Sequence, residues 1–212
     1  MAGRPYNQYC GVARALDQVG ERWSLLIVRD LLDGPQRYSD LQHRLAGIPS
    51  DMLANRLRHL EAAGVVRRTV LPPPAGSKVY ELTERGRGLE ATIVELARWG
   101  AELLGEPTPD DAFDTRWIAL SLRSRFRPDA AAGVDLTVHF VVDDETLAVD
   151  VNDGQLTTRA APAGDESPDV VVAGDPAALA AAARGEETGD RVRITGRPDA
   201  RRRFADIFGP GE

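Results

Sequence analysis

The chain has 212 residues, 42% of them hydrophobic, enough to bury one large core or two small ones, and two is the better reading. One cysteine, Cys10, and three histidines exclude an internal disulfide and a cysteine-rich zinc site; neither metal nor cofactor is expected, and a reducing compartment fits. Apolar runs are short and soon broken by Asp or Arg, so no signal peptide or membrane span is expected, and the chain reads as soluble and cytoplasmic.

The net charge of −7 opposes a nucleic-acid partner only until it is divided. Residues 1–106 carry 14 basic and 13 acidic side chains, and residues 107–212 carry 12 and 20, so the acidity belongs to the second half. Within residues 36–80, seven basic side chains (Arg37, Arg44, Arg56, Arg58, Arg67, Arg68, Lys78) stand against three acidic ones (Asp40, Asp51, Glu61), a local field suited to a phosphate backbone.

In chain order, an opening helix carries Val12, Leu16 and Val19. A second, over about residues 21–32, carries Trp23, Leu26, Ile27 and Leu31 and is closed by Gly34-Pro35. A third starts near Ser39, a candidate N-cap, with Leu41 and Leu45 one turn apart, and Gly47-Ile48-Pro49 breaks it. Ser50 is expected to cap a fourth helix running to about residue 63, where Leu53, Leu57 and Leu60 form one apolar stripe and Gly64 supplies the stop.

Two β-rich runs, residues 65–70 and 78–82, flank Pro72-Pro73-Pro74-Ala75-Gly76 and predict a hairpin with a rigid tip. Residues 83 to about 104 read as one long amphipathic helix. Its Leu89, Ile93, Leu96, Trp99 and Leu103 make a side too apolar for water, part of which is expected to meet a second copy.

Beyond a Pro-containing linker at residues 106–111 the period changes to two: Val134, Leu136, Val138, Phe140 and Val142 alternate with Asp135, Thr137, His139, Val141 and Asp143. Leu147, Val149 and Val151 continue the pattern, Asn152-Asp153-Gly154 predicts a turn, and residues 155–158, 169–172 and 192–195 supply further strands. Helices are expected over about residues 176–184 and 199–208. The fold class is therefore two domains: a mainly α winged helix-turn-helix over residues 1–106 and an α+β domain over residues 107–212.

With Leu53, Leu57 and Leu60 turned inward, Asp51, Asn55, Arg58 and His59 point away and Arg56 sits on the flank. Such a face alone is usually just solvated. A capped second helix after a tight turn, followed by a hairpin bearing Arg67, Arg68 and Lys78, is instead what a winged reader of double-stranded DNA requires. Asn55, pairing with adenine, and Arg56, pairing with guanine, are the expected base readers; Arg37, Ser39, Ser50, Asp51, Arg58, His59, Arg67, Arg68 and Lys78 complete the candidate DNA-binding set.

Several runs, in order, resemble the HxlR family of bacterial regulators over about residues 6–104. They are Cys10, Gly20-Glu21-Arg22-Trp23-Ser24-Leu25-Leu26-Ile27, Gly34-Pro35-Gln36-Arg37-Tyr38-Ser39-Asp40-Leu41, Ile48-Pro49-Ser50, Arg56-Leu57-Arg58-His59-Leu60-Glu61, Tyr80-Glu81-Leu82-Thr83-Glu84-Arg85-Gly86 and Trp99-Gly100. The resemblance implies a homodimeric winged-helix repressor or activator that responds to small molecules or oxidants. Pro49 departs from the family's pattern, in which Ser follows Ile directly, and so places the base-contacting positions in question. Cys10 stands where the family commonly has a cysteine, and some relatives use that thiol as a redox sensor; on its own it reads as a small buried residue of the first helix.

The second half resembles, less closely, the sterol-carrier-protein lipid-binding family, through the strand at Val134, Asp169-Val170-Val171-Val172, Val192-Arg193-Ile194-Thr195-Gly196 and Phe204. That resemblance implies an apolar small-molecule ligand, with Trp117, Phe126, Val138, Phe140 and Val142 as candidate lining residues, although the same residues could equally form a plain core. Arg201-Arg202-Arg203 reads as a structural run near a helix C-terminus. The alternative to a regulator is a lipid or metabolite carrier whose first half only dimerises it. An enzyme is not expected: His43, His59 and His139 lie in different elements, Cys10 has no evident base, and no Gly-rich phosphate loop opens a helix.

Overall fold

The computed structural model describes residues 5–74, 76–105, 107–108, 111–161 and 167–209. Ala75 of the expected hairpin tip, and Glu106, Pro109 and Asp110 of the expected linker, lie outside the described residues. The chain divides into two compact units, Met1–Ile93 and Val94–Glu212, whereas the sequence reading put the division after residue 106.

In the first unit, α1 (Gly11–Val19) buries Ala13 and Val19. Val12 is 69% and Leu16 40% exposed, so of the three apolar residues noted on this helix only Val19 turns inward. The next helix, α2 (Ser24–Leu32), starts later than foreseen because Trp23 adopts a left-handed conformation with φ 78°, which no α-helix continues through. Ile27, Val28 and Leu31 are fully buried, while Leu26 is exposed.

Two expected caps prove to be helical residues. In α3 (Tyr38–Arg44) the first turn is closed by the Asp40 carboxylate, which accepts the Arg37 backbone N–H at 3.2 Å, so Ser39 lies inside the turn. In α4 (Ser50–Ala62) Pro49 occupies the N-cap position with φ −62° and ψ 141°, and its carbonyl accepts the Leu53 N–H at 3.0 Å. Proline's fixed φ and missing donor suit that junction, which makes Ser50 the first helical residue. The far end is a Schellman closure: Val65 N–H donates to the Leu60 carbonyl at 2.9 Å, Gly64 N–H to Glu61 at 3.0 Å, and Gly64 takes φ 68°.

The hairpin of β1 (Val66–Val70) and β2 (Lys78–Leu82) is antiparallel, pairing Val66 with Leu82 and Val70 with Lys78. Gln36 adds a third, one-residue rung, exchanging backbone bonds of 2.9 and 2.7 Å with Tyr80. Helices with a small sheet joined in this order make a winged helix-turn-helix.

The single long helix expected after the hairpin is two: α5 (Glu84–Arg87) and α6 (Glu90–Ala101). Thr83 caps α5 through its hydroxyl, which accepts Gly86 N–H at 3.0 Å and donates to Gly64 O at 2.6 Å. This presses Gly86 onto the wing's root, where an added Cβ would lie 2.1 Å from the Val65 carbonyl oxygen, and the run Gly86-Arg87-Gly88 then turns the chain. Gly86→Ala is expected to lower stability by about 1–3 kcal/mol, the usual range for overpacking. Gly100→Ala in α6, where the Cβ meets nothing within 4 Å, is expected to gain about 0.5–1 kcal/mol; urea unfolding of both variants checks the contrast.

The second unit is built on a five-stranded sheet of order β5-β4-β3-β6-β7. Its strands are β3 (Asp135–Val142), β4 (Glu145–Asn152), β5 (Gln155–Ala160), β6 (Val170–Gly174) and β7 (Val192–Gly196), with β6 parallel to β3 and the other pairs antiparallel. The expected turn between β4 and β5 is present, with φ 44° at Asp153 and 77° at Gly154, as a two-residue hairpin of this hand requires. One face of the sheet, formed by residues such as Val138, Val149 and Val170, packs on α7 (Trp117–Arg125) and α9 (Pro198–Phe208) through Ala119, Leu122, Ala200, Ile207 and Phe208. The sequence reading had no helix at α7.

The remaining helix, α8 (Pro176–Ala183), is capped by Asp175, whose carboxylate accepts Ala178 N–H at 2.8 Å. That bond, then the guanidinium of Arg191, holds the Asp175 carboxyl below the usual carboxylate range. Its contribution is complete above the ordinary carboxylate pKa and is lost as pH falls through the lower folded value. Asp175→Ala is therefore expected to cost about 1 kcal/mol at neutral pH and nothing once the carboxyl is protonated, as paired denaturation curves would read.

Candidate nucleic-acid interface

Apolar burial sets the direction of α4. Leu53, Leu57 and Leu60 are at most 1% exposed, and their burial turns Ser50, Asp51, Asn55 and Arg58 to solvent on the opposite side. The start of α4 is held on α3 by two bonds from outside the predicted set: the Tyr38 hydroxyl donates to the Ser50 carbonyl at 2.7 Å, and the Gln42 amide donates to the Ser50 hydroxyl. Ser50 is thus a junction residue. Tyr38 and Gln42, one helical turn apart, were the missed signal.

Two members of the predicted set turn back toward the protein. Arg56 places Nη2 3.5 Å from a Glu21 carboxylate oxygen, with its side chain 13% exposed, and His59 is half-buried with Nε2 3.0 Å from the Gln18 carbonyl. Arg56 thereby pins α4 to the turn between α1 and α2, and His59 pins it to the last turn of α1. The forward face is left to Asp51, Asn55 and Arg58, and Arg58 donates through Nη2 to Asn55 Oδ1.

On the wing, Arg67, Arg68 and Lys78 are all exposed. Arg67 Nε bonds the Glu81 carboxylate across the strand pair at 2.7 Å, and the Arg68 guanidinium lies 5.7 Å from the Tyr80 ring centre. Lys78 stands at the tip end of β2, opposite Val70. Arg37 and Ser39 are exposed at the start of α3, where the Ser39 hydroxyl donates to Asp40 at 3.3 Å.

Cys10 is exposed, contrary to its reading as a buried residue, because it precedes α1 in extended backbone with φ −139° and ψ 130°. The backbone amides of Ala13, then Val12, hold its thiol below the ordinary value. In the second unit Val138, Phe140 and Val142 are buried. Phe126 packs on Phe208 (5.8 Å), Phe208 on Phe204 (5.4 Å) and Phe204 on Phe140 (6.1 Å), while Trp117 meets Phe113 edge-on at 6.3 Å.

Comparison with known proteins covers this same half of the chain. The HxlR-like helix-turn-helix family matches residues 18–107. The HTH-type transcriptional regulator YodB of Bacillus subtilis strain 168 is 39% identical over 93 residues, 44% of this chain and 82% of YodB. The chain belongs to the HxlR family.

A further relative, the uncharacterized HTH-type transcriptional regulator Rv3095 of Mycobacterium tuberculosis, is 45% identical over 96 residues, 45% of this chain and 60% of Rv3095. The chain thus spans less than two thirds of that relative's length. Among solved structures, the reduced form of YodB from B. subtilis has 33% identity and a TM-score of 0.40, covering 48% of this chain and all of that one. The HxlR segment ends at residue 107, so the five-stranded sheet and α7 to α9 lie beyond it.

Proposed function

We propose that this HxlR-family chain regulates transcription by binding double-stranded DNA as a homodimer, placing α4 in the major groove and gripping the backbone with its wing. The observation that carries the reading is the outward face of α4, where Asp51, Asn55 and Arg58 are exposed while the leucines are buried, set beside a hairpin bearing Arg67, Arg68 and Lys78. Arg56 reaches a base only by giving up Glu21, so Asn55 with its exposed neighbours is the principal reader. Dimerisation is supported by apolar side chains left in water: Val12 and Leu16 on α1, and Leu96 (46%) and Trp99 (66%) on α6.

The test sets a duplex enriched by the chain from a random pool against random duplex. Asn55→Ala is expected to erase the preference for the specific fragment while leaving random binding intact, whereas Lys78→Ala and Arg68→Ala weaken both alike. Equal losses on both duplexes for all three variants would refute this division.

A second reading concerns regulation. Cys10 is exposed and its thiolate is favoured by the start of α1, the setting of an oxidant-sensitive thiol. Oxidant is expected to release the wild-type chain from DNA and to leave Cys10→Ser bound; release of both would end this reading without touching the first.

A further inference from the structure

We infer that Asn55 and Arg58 act as one donor-only unit that selects guanine, rather than Asn55 pairing with adenine by itself. This rests on the DNA-reading role proposed above and names the base which that role recognises.

An isolated asparagine offers one carbonyl acceptor and two N–H donors, and it pairs with adenine by accepting from N6 while donating to N7. Here the acceptor is already engaged. Arg58 leans back along α4, toward the helix N-terminus as long helical side chains do, and donates through Nη2 to Asn55 Oδ1 and through Nε to the Ala54 carbonyl at 3.4 Å. The first of these bonds sets the amide's orientation, since a guanidinium has donors only: Oδ1 faces it, so Nδ2 and its two hydrogens face away.

The second lone pair of Oδ1 does not restore adenine recognition. A base N–H arriving there would meet the guanidinium's positive charge beside it. What the pair presents is therefore hydrogens only, from Asn55 Nδ2, Arg58 Nη1 and the second Nη2 hydrogen. Guanine, with N7 and O6, has the purine major-groove edge made of acceptors alone, whereas adenine places a donor at N6. Asp51, one turn before Asn55 and exposed, is the acceptor on this face and suits the N4 amine of a cytosine.

Arg58 is the specificity-determining residue in this arrangement, because it decides which atom of Asn55 remains available. Enrichment of the full chain on a random duplex pool, repeated with Asn55→Ala and Arg58→Met, tests it. Methionine keeps an unbranched stem at an exposed helical position, so the fold is preserved, as circular dichroism would verify.

The expected result is a G·C pair at the position whose preference Asn55→Ala relaxes. Replacing that guanine by 7-deazaguanine should weaken wild-type binding by about 5–150-fold, and Arg58→Met should move the preference toward adenine by freeing Oδ1. An A·T pair there, unchanged in Arg58→Met, overturns this inference while leaving DNA reading intact. So does a position at which 7-deazaguanine costs nothing. A pool with no enriched duplex overturns the DNA-reading role and this inference together.

Discussion

Raising salt from 50 to 200 mM is expected to weaken the chain's hold on duplex DNA by about 10³–10⁵-fold. The magnitude follows from phosphate contacts. Each protomer exposes Arg37, Arg67, Arg68 and Lys78 on the reading half, beside the base-facing Arg58, so the proposed homodimer holds enough cations for the roughly 6–10 contacts that produce such a slope. The net charge of −7 makes the prediction sharper, since the whole molecule repels DNA and only local contacts can offset that.

These cations are not equal. Arg67 already bonds Glu81, so a phosphate must compete for it, whereas among the described residues no such carboxylate bond restrains Arg68 over Tyr80 or Lys78 at the tip end of β2. Lys78→Ala should reduce the slope by about one unit per site lost. Fluorescence anisotropy on a labelled duplex at several salt concentrations reads both effects, and a flat dependence would contradict a phosphate-gripping wing.

Leu57→Ala is expected to cost about 2–5 kcal/mol of stability. Leu57 is 1% exposed in the middle of the stripe that also holds Leu53 and Leu60. Truncation removes its transfer energy and leaves a void into which the surrounding structure relaxes only partially. Set against the 5–15 kcal/mol or so that a typical domain has in total, this leaves little margin at 37 °C. DNA binding should fall with it. Asn55→Ala, two residues earlier and exposed, should change stability by less than about 0.5 kcal/mol while abolishing specificity. A urea midpoint for each variant separates the two roles; similar midpoints would mean that burial of α4's leucines does not organise the interface.

Much of this was legible in the residues because period and punctuation agreed. The Leu53, Leu57, Leu60 stripe followed by Gly64 located α4, and strict alternation from Val134 located β3. The Asp153-Gly154 turn announced the next hairpin. The errors arose where a tertiary bond outweighed a local preference. Ser39 and Ser50 have the chemistry of caps, yet the Asp40 carboxylate and the Pro49 backbone took those places.

Arg56 looked free on a helical wheel because Glu21 is 35 residues away in sequence, and nothing local signals their approach. Gly86 and Gly88 were read through as parts of one helix, since only the nearness of the Val65 carbonyl explains why the chain must turn there. The coupling of Asn55 to Arg58 was half visible: a spacing of three places two residues on one helix face, but which atom each offers depends on side-chain geometry. α7 escaped because its apolar residues bury only partly, with Ala119 and Leu122 inside and Trp117 and Ile118 half out, which blurs the helical period.

The most direct test of the account is dimethyl sulfate protection of guanine N7 along a duplex enriched by the purified chain, since N7 lies in the major groove. Two protected clusters about 34–36 Å apart, one per α4 of a dimer, both lost with Asn55→Ala, are the predicted pattern. Binding that leaves every major-groove guanine reactive would contradict it.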